Sequence, residues 1–232
     1  MTTGKTKALV TGGTGALGSD VGRVLREAGF EVHVTALDAD MAASFAEMPE
    51  NGGLTAHVAD LFDFDDTKRL MDEVGAPLGA LVTTLGGFLG GSLAALTEAD
   101  VDRLIAMNLT SAVQTLRHAY PLLKAHHGGA HVVLVSARGA VTGGPGSALY
   151  SAAKAGIANL ALSLSQEWLE DGITVNAILP STMDTPANRR DMPDADFSRW
   201  PTTREVAEVV AFLVSDAARI VSGAAIPVYG KG

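Results

Sequence analysis

Short apolar runs alternate with longer helix-like stretches along nearly the whole chain, and this alternation limits the fold more than any other feature. Ala8-Leu9-Val10, Val32-His33-Val34, Thr55-Ala56-His57-Val58, Ala80-Leu81-Val82, His131-Val132-Val133-Leu134-Val135, Thr174-Val175-Asn176-Ala177-Ile178 and Ala224-Ala225-Ile226-Pro227-Val228 read as strands. Several are apolar at successive positions, as strands covered on both faces are. Helical patterns fill the intervals, notably Val101–His126, Ala148–Glu170 and Arg204–Ser215. Such alternation requires right-handed βαβ crossovers and a parallel sheet. The expected architecture is α/β: a Rossmann-type doubly wound parallel sheet of about seven strands with helices on both faces.

No internal repeat, low-complexity tract or linker interrupts the pattern, so residues 1–232 read as one domain, with a candidate substrate loop at about 180–203. A net charge of −9 argues against nucleic acid or an anionic membrane surface as partner, leaving a small molecule. The chain has no cysteine, which excludes disulfides and thiolate chemistry and fits a reducing compartment, so the cytoplasm is the expected location. Thr2 to Lys7 is polar, unlike a signal peptide, and no apolar stretch is long enough to span a bilayer.

Ligands of such sheets sit at the carboxyl ends of the strands. The first strand runs into Thr11-Gly12-Gly13-Thr14-Gly15-Ala16-Leu17-Gly18, inside which a helix opens. Glycines there permit a tight turn, close approach of backbone N–H groups to a pyrophosphate, and close helix–sheet packing. A plain strand–helix turn would use glycine too, but Asp38 closes the second strand at the distance expected of a ribose-binding carboxylate. Asp38 is equally placed to cap the helix Ala39–Glu47. A carboxylate accepts from both ribose hydroxyls and repels a 2′-phosphate, and no Arg or Lys lies in the glycine loop or in Leu37 to Phe45. NAD(H) is therefore favoured, with NADP(H) not excluded. Asp60 with Leu61, after the third strand, is a second candidate for the adenine edge; a cap or turn carboxylate is the alternative, since Asp63, Asp65 and Asp66 share the loop.

Tyr150 and Lys154 are four residues apart, so on a helix they share a face. A protonated phenol serves as an acid, and a nearby ammonium favours the phenolate and brings the Tyr towards a working pKa. That spacing also occurs by chance on surface helices; its company here is the glycine fingerprint and a strand just before it.

These motifs, from Thr11 to Gly223 and in the same order, resemble the short-chain dehydrogenase/reductase superfamily. Asp60-Leu61, Asn108, Tyr150-Ser-Ala-Ala-Lys154, Asn176 and Pro180-Ser-Thr-Met-Asp-Thr185-Pro186 carry the resemblance. It implies that Tyr150 donates or accepts the proton, that Lys154 orients the nicotinamide ribose and tunes Tyr150, and that Asn108 holds a proton-relay water. Leu85-Gly86, Pro180, Thr182 and Thr185 then join the cofactor site, the last near the nicotinamide carboxamide. The long helices resemble those that pair across subunits in this superfamily, implying a homodimer or homotetramer.

The sequence departs from that pattern in one telling place. The superfamily's carbonyl-binding serine, thirteen residues before the tyrosine, is Ala137 here, with Ser136 one residue earlier and facing the other way on a strand. The run after the fourth strand reads Thr83-Thr84-Leu85-Gly86. One branch, dihydropteridine reductase, resembles the chain at Gly12–Ser19, at Gly86-Gly87-Phe88-Leu-Gly-Gly91, at Ala137–Gly146 and at Leu179–Trp200. That resemblance implies NADH-driven reduction of a planar heterocycle such as quinonoid dihydropterin, whose electron-poor ring needs less help from an oxyanion donor than a ketone does. Ala137, Gly87, Phe88 and Trp200 are the candidate substrate contacts, although Trp200 with Phe197 is equally suited to anchoring its loop on the core. The alternatives are a carbonyl or alcohol enzyme that uses Ser136, Thr142 or a water in place of the serine, and a non-enzymatic dinucleotide sensor. No metal site is expected: His126 and His127 are adjacent and face different ways, and His33 and His57 read as structural or surface groups.

Overall fold

A computed structural model describes residues 5–231; the chain ends, residues 1–4 and 232, including Thr2 to Gly4 of the polar Thr2–Lys7 segment, lie outside the described residues. The elements in order are β1 (Lys7–Thr11), α1 (Ala16–Glu27), β2 (Glu31–Ala36), α2 (Ala39–Glu47), β3 (Leu54–Val58), α3 (Phe64–Val74) and β4 (Ala80–Thr83). They continue with α4 (Glu98–Ile105), a π-helical turn (Ala106–Thr110), α5 (Ser111–Lys124), β5 (Ala130–Val135), α6 (Gly139–Thr142), α7 (Ala148–Glu167), β6 (Ile173–Pro180), α8 (Pro186–Asp191), α9 (Thr203–Leu213) and β7 (Ala225–Val228). The sheet has seven strands, all parallel, in the order β3-β2-β1-β4-β5-β6-β7.

Alternation within each strand divides the core into two layers. Leu9, Leu81, Val132, Leu134 and Val175 face α3, α5 and α7, where Leu70, Leu116, Leu123 and Ile157 meet them. Ala8, Val10, Val34, Val82, Val133 and Ile178 face α1 and α9, against Val21, Leu25, Val206 and Val210. Every residue of β6 is buried, whereas β3 and β7, at the edges, are only partly so. Among the described residues no helix is long and apolar enough to cross a membrane.

Two expected helices differ in detail. The stretch Val101–His126 begins earlier, at Glu98, behind a capping box in which the Thr97 hydroxyl and the Asp100 carboxylate serve each other's backbone N–H groups, and it ends at Lys124. It is also broken by the π turn around Asn108, where the Ser111 N–H reaches back five residues to the Ala106 carbonyl. The second long helix stops at Glu167, and Leu169–Asp171 form a tighter turn. The order in which strands are added reverses at β1: β2 and β3 lie to one side of it, and β4, its parallel neighbour, begins the other side. A crevice therefore opens at their carboxyl ends, and the loops after β1, β2, β3, β4, β5 and β6 surround it.

Candidate active site

The turn after β1 is held by its own backbone and by two threonines. Gly12 has φ +68°, and a side chain there would press against the backbone of Leu85 in the loop after β4, 2.8 Å from its nitrogen. The Gly12 N–H donates to Thr35 Oγ1 at 2.9 Å, and Thr84 Oγ1 donates to the Thr11 carbonyl at 2.7 Å, tying the β1, β2 and β4 ends together. Gly15 is the N-cap of α1, with no side chain capping that end and no acidic residue in the first turn. Open N–H groups and an uncompensated positive helix end are what a pyrophosphate needs, so this loop fits a dinucleotide. Thr14 is half-buried beside it and Ala16 is exposed at the helix start. Leu17 differs: its side chain is buried against β1 and β2, leaving only its backbone for a ligand.

At the carboxyl end of β2 the structure realises the capping reading of Asp38. One carboxylate oxygen caps α2 by accepting the Met41 N–H at 2.8 Å, while the side chain stays exposed at the carboxyl end of β2. Asp60 is likewise exposed and accepts the Phe62 N–H at 2.9 Å. Leu61 is buried in the core on the α3 side, so it too offers only backbone to the crevice.

Tyr150 stands in the first turn of α7, and Lys154 lies one turn on with Nζ 5.9 Å from the centre of the phenol ring. Lys154 is 4 % exposed, and Nζ donates to the Val135 carbonyl at the end of β5 at 3.0 Å. Burial pulls its pKa down to about 8 and pushes that of Tyr150 up. The expected electrostatic lowering of the phenol by Lys154 does not govern in the protein alone: no charge or hydrogen bond offsets the burial of Tyr150.

The π turn delivers Asn108 to the same place. Its buried side chain grips both backbone groups of Gly87, accepting the N–H at 3.1 Å and donating to the carbonyl at 2.9 Å, with a second donation to the Leu104 carbonyl at 3.0 Å. A side chain at Gly86 would stand 2.9 Å from both Asn108 Oδ1 and Lys154 Nζ. Gly86, Asn108 and Lys154 thus converge on one point, with Leu85 half-buried behind it.

The position of Ala137 carries no hydroxyl, and neither expected substitute supplies one. Ser136 is buried and donates to the Lys154 carbonyl at 2.7 Å, anchoring α7 to β5 and turned away from the cleft. Thr142 is exposed and donates to the Arg138 carbonyl at 3.2 Å. Phe88, 65 % exposed, packs edge-on against Tyr150, with ring centres 5.1 Å apart at 86°. A bond from the Gly91 N–H to the Gly146 carbonyl at 2.8 Å joins its loop to the one preceding α7.

The loop after β6 serves more as framework than as lining. The Pro180 carbonyl accepts the Arg138 N–H at 2.8 Å, and Thr185 caps α8 by accepting the Asn188 N–H at 3.1 Å. Thr182 is half-buried. Trp200 stacks at 5.0 Å on Phe197, over which Arg189 lies while gripping Asp184 with two bonds, which favours loop anchoring over a substrate wall. Sequence reading missed Thr35, an isolated hydroxyl in an apolar strand, and the brace made by Thr84; Ser136, read as a stand-in for the missing serine, is a framework residue instead. Among the described residues no group of three or more His, Cys, Asp or Glu is placed to hold a metal ion.

Comparison with known proteins matches residues 13–230 to the family model described as enoyl-(acyl carrier protein) reductase. Cis-4-hydroxycyclohexanecarboxylate dehydrogenase of Sinomonas cyclohexanicum is 36% identical over 237 residues, covering 96% of this chain and 94% of that protein. The 3-oxoacyl-[acyl-carrier-protein] reductase of Staphylococcus aureus is 32% identical over 237 residues, covering 96% of each. Among solved structures, ElxO with NADP bound superposes with a TM-score of 0.89 over 98% of both chains at 19% identity, a likeness of fold.

Proposed function

The chain belongs to the short-chain dehydrogenase/reductase family, and from that premise we propose that it is an NAD(H)-dependent reductase that relies on Tyr150 as its proton donor, without a hydroxyl at position 137. A bound nicotinamide dinucleotide supplies or accepts the hydride. The glycine loop and the start of α1 would hold its pyrophosphate, and Asp38 its adenosine ribose, with Asp60 beside the adenine. NAD(H) is preferred because Asp38 is exposed there with no basic residue from Leu37 to Phe45.

Tyr150 gives its proton to the developing anion of the substrate, and burial, which keeps the phenol protonated, suits that role. Lys154, charged below about pH 8 and fixed by Val135, stabilises the phenolate left behind. Asn108 keeps Gly86 and Gly87 in register with Lys154, and Phe88 borders the cleft beside Tyr150.

The substrate class rests on one observation: neither Ser136 nor Thr142 replaces the hydroxyl missing at Ala137. A site with a single proton donor suits an acceptor already electron-poor and conjugated, such as a planar quinonoid heterocycle of the dihydropterin kind. A second reading, reduction of a ring carbonyl or oxidation of the matching alcohol, is favoured by the names of the relatives, which refer to hydroxy-acid and oxoacyl substrates. Turnover of quinonoid dihydropterin and of cyclic ketones by the wild type and Ala137→Ser separates the two. The first reading expects pterin turnover that the serine leaves unchanged or lowers; ketone turnover raised roughly tenfold or more by the serine would replace it with the second.

Association of subunits belongs to the same reading. Val113, Leu116, Tyr120, Leu160, Leu164 and Trp168 line a mostly apolar groove at α5 and α7, with Arg117 and Glu167 also in its wall. A second copy of the chain is the proposed occupant. The cysteine-free, acidic composition supports a cytoplasmic setting.

A further inference from the structure

The adenosine side of the crevice rests on a chain of polar contacts that begins inside the sheet. His33 in β2 has a side chain only 9% exposed, and its Nδ1 lies 2.9 Å from Nε2 of His57 in β3. His57 Nδ1 meets Glu73 Oε2 of α3 at 3.3 Å. Glu73 also binds Arg69, whose Nε donates to Asp66 Oδ1 at 2.7 Å and whose Nη2 donates to the Val58 carbonyl at 2.8 Å. Asp66 Oδ2 completes the chain by accepting the backbone N–H of Asp60 at 2.7 Å. The loop that presents Asp60 is thus hung, through Arg69 and Glu73, on a pair of imidazoles, His33 buried and His57 half-buried.

Proton counting limits what that pair tolerates. Two neutral rings carry two ring protons. Glu73 only accepts, so one proton sits on His57 Nδ1, and the other is donated from His33 Nδ1 to His57 Nε2. A third proton breaks no contact only at His33 Nε2, which is buried, without a hydrogen bond, and 3.3 Å from Glu31 Oε1. A fourth would set two N–H groups against each other across 2.9 Å. The other charge facing the pair is Lys7 of β1, a cation. Burial first, then His57 and Lys7, hold the pKa of His33 below the ordinary histidine value against the pull of Glu31. An unfolded His33 takes up its proton at that ordinary value while the folded one resists, so these contacts lose stability as pH falls through it.

We propose that Arg69, Glu73 and the His33–His57 pair are positioning residues for the Asp60 loop, and that the pair makes dinucleotide affinity fall on acidification. This rests on the reading of Asp60 as an adenine-side residue. Calorimetric NADH binding at about pH 7.5 and about pH 5.5, spanning the histidine range, tests it. The wild type is expected to bind at least roughly fivefold more weakly at the lower pH. His57→Gln keeps a donor and an acceptor but does not titrate; it should match the wild type at the higher pH and lose most of the pH dependence. Arg69→Leu should raise KM for NADH roughly fivefold and lower kcat less. Affinity independent of pH in the wild type, or an equal slope in His57→Gln, overturns the proposal. Should His57→Gln not fold, histidine NMR of the wild type decides: the pair taking up one proton between them supports it, and two independent titrations at the ordinary value overturn it. Absence of NADH binding at either pH overturns the cofactor reading, and the link with it.

Discussion

Lys154 is the residue on which opposing demands meet. The proposed chemistry needs its charge, and the fold buries it against the Val135 carbonyl. A pKa lowered from 10.5 to about 8 means that between these values the unfolded chain holds a proton that the folded one has released. Stability should therefore rise with pH across that window, by up to on the order of 3 kcal/mol. Denaturant midpoints of the cofactor-free protein measured from about pH 8 to about pH 10 check this; Lys154→Met should lack the rise, and an equal rise in that variant would show that another group causes it. Tyr150, pushed the opposite way, lowers stability only as pH rises through its ordinary value of 10.0, at the top of this window.

At the scale of elements, the site depends on loops meeting more than on any single side chain. The π turn swings Asn108 onto Gly87, and the absence of a side chain at Gly86 lets Asn108 and Lys154 converge. Gly86→Ala must part them, and turnover should fall roughly a hundredfold. Thermal melting within a few degrees of the wild type would show that positioning, rather than folding, was lost; unchanged turnover would show that the convergence is dispensable. Strand patterning made the seven strands and their parallel, doubly wound arrangement legible, because runs apolar at successive positions report burial on both faces. Tyr150, Lys154 and the glycine loop were legible because chemistry ties them to fixed spacings. The π turn was not, since Ala106–Thr110 keeps a helical pattern and only tertiary contact with Gly87 selects the wider turn. The core positions of Leu17 and Leu61 escaped notice for a related reason: a motif marks a backbone position and is silent on where its side chain points. The His33–His57 pair lies on two different strands, and no local pattern joins them.

The whole molecule presents an apolar groove between α5 and α7, and Val113 at its edge is 43% exposed. Sedimentation should find a dimer or tetramer, and Leu160→Asp should shift it to the monomer; a wild-type monomer at micromolar concentration would end the self-association reading. The glycine loop, Asp38 and Asp60 follow the carboxyl ends of β1, β2 and β3, and Lys154 is tied to the end of β5. The central claim is testable in a single variant. Tyr150→Phe keeps the ring and its edge contact with Phe88 and removes only the hydroxyl. Steady-state turnover should fall at least roughly a hundredfold, while calorimetric NADH binding stays within about twofold of the wild type. Turnover that survives the loss of that hydroxyl would contradict the account.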